Sequence, residues 1–207
     1  MSRILITGGT GFLGQNLALK LKNKYTILLG GRNNGINRKA ESFTGCESIP
    51  LSIESIESVR DVIRSFKPDI VIHAAATKFV DLSEKHPFEC IDINIKGSQN
   101  VARVSIENNV NFVLGISTDK TAPPVGNIYG LSKSIMERMF CSLNSISTTK
   151  FSCVRFGNIA WSTGSIFPIW KQMTLKQKFI QSTGPKMRRF FFTVDEASEL
   201  VIRALDN

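Results

Sequence analysis

Cysteine is scarce in this 207-residue chain: Cys46, Cys90, Cys141 and Cys153 are all it has. They are scattered without a C-x-x-C pair, so neither a zinc site nor a disulfide framework is indicated. No metal is expected, and a reducing cytoplasm fits best. No N-terminal apolar segment resembles a signal peptide, and no apolar run is long enough to span a bilayer. A cytoplasmic protein with no membrane partner is therefore the expectation. Internal repeats and low-complexity tracts are also missing. Positive charge is in excess, with 26 Lys+Arg against 17 Asp+Glu and a formal net charge of +9. Yet no arginine-rich block, RNA-binding aromatic motif or basic helix stands out, although residues 171–189 are locally richer in Lys and Arg. The charge reads as solubility plus local phosphate binding, and nucleic acid is not an expected partner. Apolar residues at 42% and charged residues at 21% match an ordinary globular protein long enough for one substantial core.

The first informative stretch is Arg3-Ile-Leu-Ile-Thr7, a continuous apolar run of the kind that forms a strand buried on both faces. Gly8-Gly-Thr-Gly11-Phe-Leu-Gly14 follows at once, and Leu13, Leu17 and Leu21 then recur at helical spacing. Strand, glycine loop and helix in that order are the context in which G-x-G-x-x-G indicates a dinucleotide. Gly8 permits the tight turn, Gly11 lets the backbone approach a pyrophosphate, and Gly14 allows close helix–strand packing. The helix N-terminus offers free N–H groups to the phosphates. Gly8, Thr10, Gly11, Phe12, Leu13 and Gly14 are accordingly cofactor-binding candidates. The second strand, Tyr25–Leu29, ends in Gly30-Gly-Arg-Asn33, with no acidic residue for the ribose hydroxyls. Arg32 stands where a 2′-phosphate would be met, which favours NADP over NAD.

Further along, residues 33–46 read as a loop or short helix, and Glu47–Ile53 as a third strand interrupted by Pro50. Ile56, Val59, Val62, Ile63 and Phe66 give a crossover helix. Asp69–Ala76 is a fourth strand, and Ala74, Ala75 and Ala76 are small enough for close passage of a nicotinamide ribose. His73 within it is either catalytic or packed beside the cofactor. Residues 87–109 form a helix carrying Ile91, Ile95, Ala102 and Ile106 inward. Phe112–Ile116 is a strand, and Phe151–Asn158 a sixth. Beyond it 161–167 is loop-like, 168–178 helical, and Arg188–Phe192 precedes a capped helix starting near Thr193 or Asp195. This alternation implies an α/β fold, a Rossmann-type doubly wound parallel sheet with ligands beyond the strands' carboxyl ends.

The fifth strand runs into Ser117-Thr118-Asp119-Lys120, four polar groups at a carboxyl end. Tyr129 and Lys133 follow, four apart and so stacked on one helix face. A neighbouring ammonium lowers a phenol's pKa, which makes Tyr129 a candidate acid/base for an alcohol being oxidised.

Taken together these residues resemble an extended short-chain dehydrogenase/reductase. More narrowly, they resemble the UDP-N-acetylglucosamine 4,6-dehydratases of the polysaccharide-biosynthesis (CapD-like) family. The narrower likeness rests on His73-Ala-Ala-Ala-Thr-Lys78, Ser117-Thr-Asp-Lys120, Val154-Arg-Phe-Gly-Asn158, and Met187-Arg-Arg-Phe190 followed by Thr193-Val-Asp-Glu-Ala197. It implies NADP-dependent dehydration of a UDP-linked amino sugar. In that chemistry Thr118, Tyr129 and Lys133 handle the C4 hydroxyl, with Tyr129 and Lys133 also binding cofactor. Lys120 takes the C5 proton and Asp119 protonates the departing C6 hydroxyl; a Lys120 merely salt-bridged to Asp119 would lack that base role. Lys78, Asn158 and Arg189 are implied as substrate-binding. Nucleotide-sugar 4-epimerisation or keto-sugar reduction is the near alternative, and a non-catalytic NADP-binding module the distant one. Residues 1–160 are expected to form the NADP-binding domain with the catalytic groups, and 161–207 a partial substrate-binding segment.

Three departures from the family pattern accompany this. Leu51 stands about where an Asp usually contacts the adenine, the loop between Asp119 and Tyr129 is one residue longer, and the substrate-binding portion is shortened. A homodimer or higher homo-oligomer is implied through helices 87–109 and 129–146, with Ile135, Met139 and Phe140 on the contact surface or in the core.

Overall fold

The structure, a computed structural model, describes residues 1–176, 179–180, 184 and 186–206. Six strands form one parallel sheet: β1 (Arg3–Thr7), β2 (Thr26–Gly31), β3 (Glu47–Pro50), β4 (Ile70–His73), β5 (Phe112–Thr118) and β6 (Lys150–Phe156). Their order is β3-β2-β1-β4-β5-β6, so the chain winds outward from β1 in one direction and then restarts beside it at β4. The crevice at that reversal, above the ends of β1 and β4, is where such sheets hold ligands.

Alternation along β1 explains why the sheet needs cover on both sides. Leu5 joins one core cluster and Ile4 and Ile6 the other, and all three are fully buried. Leu5 packs with residues of α3 (Ile56–Phe66), α6 (Gly97–Glu107) and α7 (Ile128–Ile146). Ile4 and Ile6 pack with α1 (Phe12–Leu21), Ala40 of α2 (Asn34–Thr44), and Ala197 and Val201 of α9 (Val194–Leu205). Each such side chain withdrawn from water contributes about 1.5–3 kcal/mol. The short helices α4 (Val80–Lys85) and α5 (Pro87–Ile91) precede α6, and between β6 and α9 lie the helix α8 (Ile166–Leu175) and a two-stranded parallel pair, β7 (Asn158–Ile159) with β8 (Phe191–Phe192). The helix expected over 168–178 is thus α8; residues 177 and 178 lie outside the described residues.

Several boundaries differ from the sequence reading for identifiable reasons. Residues 34–44 form a full helix because Asn33 caps it, accepting from Ile36 N at 3.0 Å. The third strand stops at Pro50, with one further ladder bond from Leu51 N to the Gly31 carbonyl at 3.0 Å. The helix from Pro87 to Glu107 is interrupted by a π-helical turn at Asp92–Lys96. The extra residue shifts the helical phase, so Ile93 and Asn94 are buried while Ile91 is 43% exposed and Ile95 only half-buried. Ala102 and Ile106 still face the core. The last helix begins with a reciprocal capping box between Thr193 and Glu196. Among the described residues no helix is long and apolar enough to cross a membrane.

Candidate active site

At the sheet's reversal point Gly8 has φ +67, and a Cβ there would come within 2.7 Å of the Ala75 backbone. Only glycine lets the β1 loop and the Ala74–Ala76 segment meet so closely. Gly11 caps α1 without any side-chain acceptor. The first-turn N–H groups of Phe12, Leu13 and Gly14 are therefore left for an anion. Thr10 is buried behind them, its carbonyl accepting from Gln15 Nε2 at 2.6 Å. These features fit a dinucleotide pyrophosphate.

His73 supports that loop from within. Its Nδ1 is 2.8 Å from Thr7 Oγ1 and its Nε2 2.9 Å from Ser98 Oγ. Ser98 Oγ donates to the Asn94 carbonyl at 2.5 Å, so it accepts from His73 Nε2–H; Thr7 then donates to Nδ1. Thr7 Oγ1 in turn accepts from Ala75 N at 3.3 Å. Fully buried, His73 is held neutral, its pKa driven to about 3 by burial and then by the charge of Lys133. It is a strut between strands and helix; its ring takes no part in the polar cluster at β5.

That cluster brings together Thr118, Asp119, Lys120, Tyr129 and Lys133. Asn127 caps α7, accepting from Gly130 N at 2.7 Å, and so starts the helix directly above the β5 end. A Cβ on Gly130 would lie 2.4 Å from the Lys120 carbonyl; its absence lets α7 press onto the 3-10 turn Asp119–Thr121. Lys120 Nζ donates to Asp119 Oδ1 at 3.2 Å and to Asn158 Oδ1 at 3.0 Å. Thr118 Oγ1 donates to Asp119 Oδ1 at 3.1 Å. Thr118, Asp119 and Lys120, with Asn158, thus form one connected polar group, with Tyr129 and Lys133 buried beside it.

The electrostatics correct one expectation. Tyr129 is raised to about 12, by burial and by the Asp119 carboxylate, with the Thr118 hydroxyl pulling only partly the other way. Lys133 does not lower it. Its ammonium donates instead to the Ile116 carbonyl at 2.8 Å, and burial brings its own pKa down to about 8.

The substrate-side candidates separate. Asn158 sits in the cluster through Lys120. Lys78 donates to the Thr163 carbonyl at 2.7 Å, and burial of its ammonium end lowers its pKa although the residue as a whole is exposed. Arg189 is exposed, and its guanidinium turns back to the Arg188 carbonyl at 2.8 Å. Arg32 lies at the β2 end beside Glu54, 3.8 Å away.

Two supporting groups escaped the sequence reading. Glu137 accepts from Arg155 Nε at 2.7 Å and from Thr121 Oγ1 at 3.4 Å, bracing the floor of the cluster. Burial pushes its carboxyl up, but the Arg155 hydrogen bond and charge outweigh that and hold it low. The signal was available: Tyr129, Lys133 and Glu137 are spaced i, i+4, i+8 along one helix face. Asn94 is the other. It bridges Thr77 and Ser132, donating at 3.0 Å to each, and only the helical phase shift turns it inward.

The 3-2-1-4-5-6 sheet, the glycine loop at its reversal point and the Tyr/Lys pair over β5 define an extended short-chain dehydrogenase/reductase. Within that class the chain belongs to the polysaccharide biosynthesis protein family, which residues 4–207 match. It is 37% identical over 207 residues to an uncharacterized membrane protein of Methanocaldococcus jannaschii, covering 97% of this chain and 62% of the relative. It is 33% identical to the UDP-N-acetylglucosamine 4,6-dehydratase (inverting) of Campylobacter jejuni, covering 96% and 62%. The UDP-glucose 4-epimerase of Rickettsia canadensis is 32% identical, covering 99% and 62%. The chain therefore spans about 62% of the length of these relatives. Among solved structures, Pen from Bacillus thuringiensis superposes with a TM-score of 0.94 at 29% identity, covering 100% of this chain and 67% of that one. Thermus thermophilus UDP-glucose 4-epimerase, in complex with NAD, shares the fold with a TM-score of 0.88 at 21% identity, covering 99% and 75%.

Proposed function

We propose that this chain carries the cofactor-binding and proton-transfer machinery of an NADP-dependent UDP-N-acetyl-hexosamine 4,6-dehydratase. The observation that carries this reading is the Asp119–Lys120 pair joined to Thr118 at the β5 end. Removing and restoring a C4 hydroxyl proton needs Tyr129 and its neighbours alone. Elimination of water additionally needs a base for C5 and an acid for C6, and this pair offers both.

NADP would be held by Gly8, Thr10, Gly11, Phe12, Leu13 and Gly14 at the pyrophosphate, by Arg32 at the 2′-phosphate, and by Ala74–Ala76, Tyr129 and Lys133 towards the nicotinamide. When bound, the nicotinamide would take hydride from C4 and, after water is lost, return it to C6 while C5 is reprotonated, so that the cofactor ends as it began. Tyr129 exchanges the C4 hydroxyl proton with Thr118 beside it. Lys133, with a pKa of about 8, stays cationic at neutral pH, its ammonium held by the Ile116 carbonyl. Once C4 is a ketone its neighbour C5 is acidic. A proton passed from Lys120 to Asp119 across their 3.2 Å contact converts the ion pair to a neutral amine and a carboxylic acid. The amine takes the C5 proton, the acid protonates the C6 oxygen, and water leaves with the ion pair restored.

In this reading residues 1–160 hold cofactor and proton chemistry, and 161–207 face the sugar nucleotide while α9 also closes the core. A second reading, 4-epimerisation, is favoured by the Asn158 contact on Lys120, which can hold the pair closed while Tyr129 works alone. Keto-sugar reduction would use the same Tyr129 group. Incubation with a panel of UDP- and dTDP-sugars, followed by mass and NMR analysis, decides among them. A 4-keto-6-deoxy product supports dehydration. An inverted C4 without a ketone means epimerisation, and stoichiometric NADPH consumption means reduction. Cofactor binding without turnover of any sugar nucleotide leaves a non-catalytic NADP-binding module.

A further inference from the structure

Arg32 follows β2 and Glu54 follows β3, and parallel pairing of Gly31 with Pro50 brings the two strand ends side by side. Arg32 Nη1 stands 3.8 Å from Glu54 Oε1, with the side chains 56% and 33% exposed. The other carboxylate oxygen, Glu54 Oε2, is buried and has no hydrogen-bond partner among the described residues. A buried acceptor without a donor is costly, but Oε2 lies out of an incoming ligand's reach, so it is the Oε1 side of the carboxylate, beside Arg32, that a ligand meets. A surface ion pair this loose adds little to stability.

We infer that Glu54 is a specificity-determining residue for the cofactor, opposing the preference that Arg32 creates. The inference rests on the reading that Arg32 faces the adenosine 2′ position. A 2′-phosphate arriving at Arg32 meets the Glu54 carboxylate in the same place and is repelled by it. A 2′-hydroxyl can instead donate to that carboxylate. Arg32 therefore rewards NADP+, Glu54 rewards NAD+, and the pair together narrows the difference between them. Sequence inspection around β2 finds only the first half, because Glu54 is brought in by the neighbouring strand.

Calorimetric titration of wild type, Glu54→Gln and Arg32→Ala with NADP+ and NAD+ tests this, with 2′,5′-ADP and 5′-AMP as probes lacking the nicotinamide. Glu54→Gln keeps the side chain's shape and removes its charge. It should raise the NADP+/NAD+ affinity ratio roughly three- to thirtyfold, as expected for one like charge a few ångströms away at a partly exposed site. The same shift should appear between 2′,5′-ADP and 5′-AMP, and should shrink at high salt. Glu54→Asp retains the charge and should stay near wild type, and thermal unfolding without nucleotide checks that each variant folds. A ratio unchanged in Glu54→Gln overturns the inference. If Arg32→Ala leaves the ratio unmoved, the reading of Arg32 fails and the counterweight with it. If wild type binds neither dinucleotide, the cofactor reading itself is wrong, which is a different and separable result.

Discussion

Lys120 Nζ is shared between Asp119 Oδ1 at 3.2 Å and Asn158 Oδ1 at 3.0 Å, so it must shed a proton before it can accept one. That requirement makes the two halves of the proposed reaction separable by substitution. Lys120→Met should allow the sugar to reduce the cofactor while water loss falls by about 10²–10⁴-fold, the usual range for a general base. Tyr129→Phe should prevent even the reduction. Stopped-flow absorbance of NADPH distinguishes the two, and normal turnover by Lys120→Met would make Lys120 a structural residue. His73 gives a second test, in stability. Its folded pKa of about 3 lies below its ordinary 6.5, so the unfolded chain binds the extra proton between those values. The neutral imidazole's contribution is present above pH 6.5 and is lost as pH falls towards 3, at most about 5 kcal/mol in all. Denaturant titrations should show the stability of wild type and His73→Gln converging over that window. Parallel pH dependence of the two would refute the buried neutral assignment.

Among elements, α5 and α7 carry an apolar surface that the described residues leave uncovered. Phe88 is 83%, Ile91 43%, Leu131 49% and Ile135 47% exposed, whereas Phe140 is fully buried and Met139 packs partly against the core. Of the three residues expected at a subunit contact, Ile135 remains available. We expect at least a dimer in solution and a monomer for Leu131→Asp/Ile135→Asp; light scattering of wild type as a monomer at high concentration would count against it. Elements whose signals are local were legible in the sequence: β1 with its glycine loop, the Tyr129 helix with its polar strand end, and the Thr193 cap. What stayed hidden depends on contacts between distant segments or on helical phase. Asn158 reaches Lys120 from 38 residues away, and Glu54 meets Arg32 only through the β2–β3 pairing. The π-helical turn at Asp92–Lys96 leaves no composition signature, so Ile91 and Ile95 were assigned inward in place of Ile93 and Asn94. The Tyr129 pKa shift was misjudged because i, i+4 spacing says nothing of burial, which outweighs Lys133.

For the whole molecule, folding and cofactor binding are linked, since the crevice exists only when β1, β4 and β5 are assembled. NADP+ at about 100 times its Kd should stabilise the folded chain by about 2.7 kcal/mol. For a domain of this size that raises Tm by roughly 5–10 °C. A melt unchanged by either dinucleotide would weigh against the cofactor reading. The β7–β8 pair has a different kind of consequence. By joining Asn158 to Phe191 and Ile159 to Phe192, it pins both ends of the intervening chain beside the residue that holds Lys120. Lengthening a loop whose ends are already clasped costs only about 0.6 kcal/mol per doubling. Insertions and deletions there can be absorbed while the Asn158–Lys120 contact keeps its position. A lineage can thus vary that segment without disturbing the groups at the end of β5.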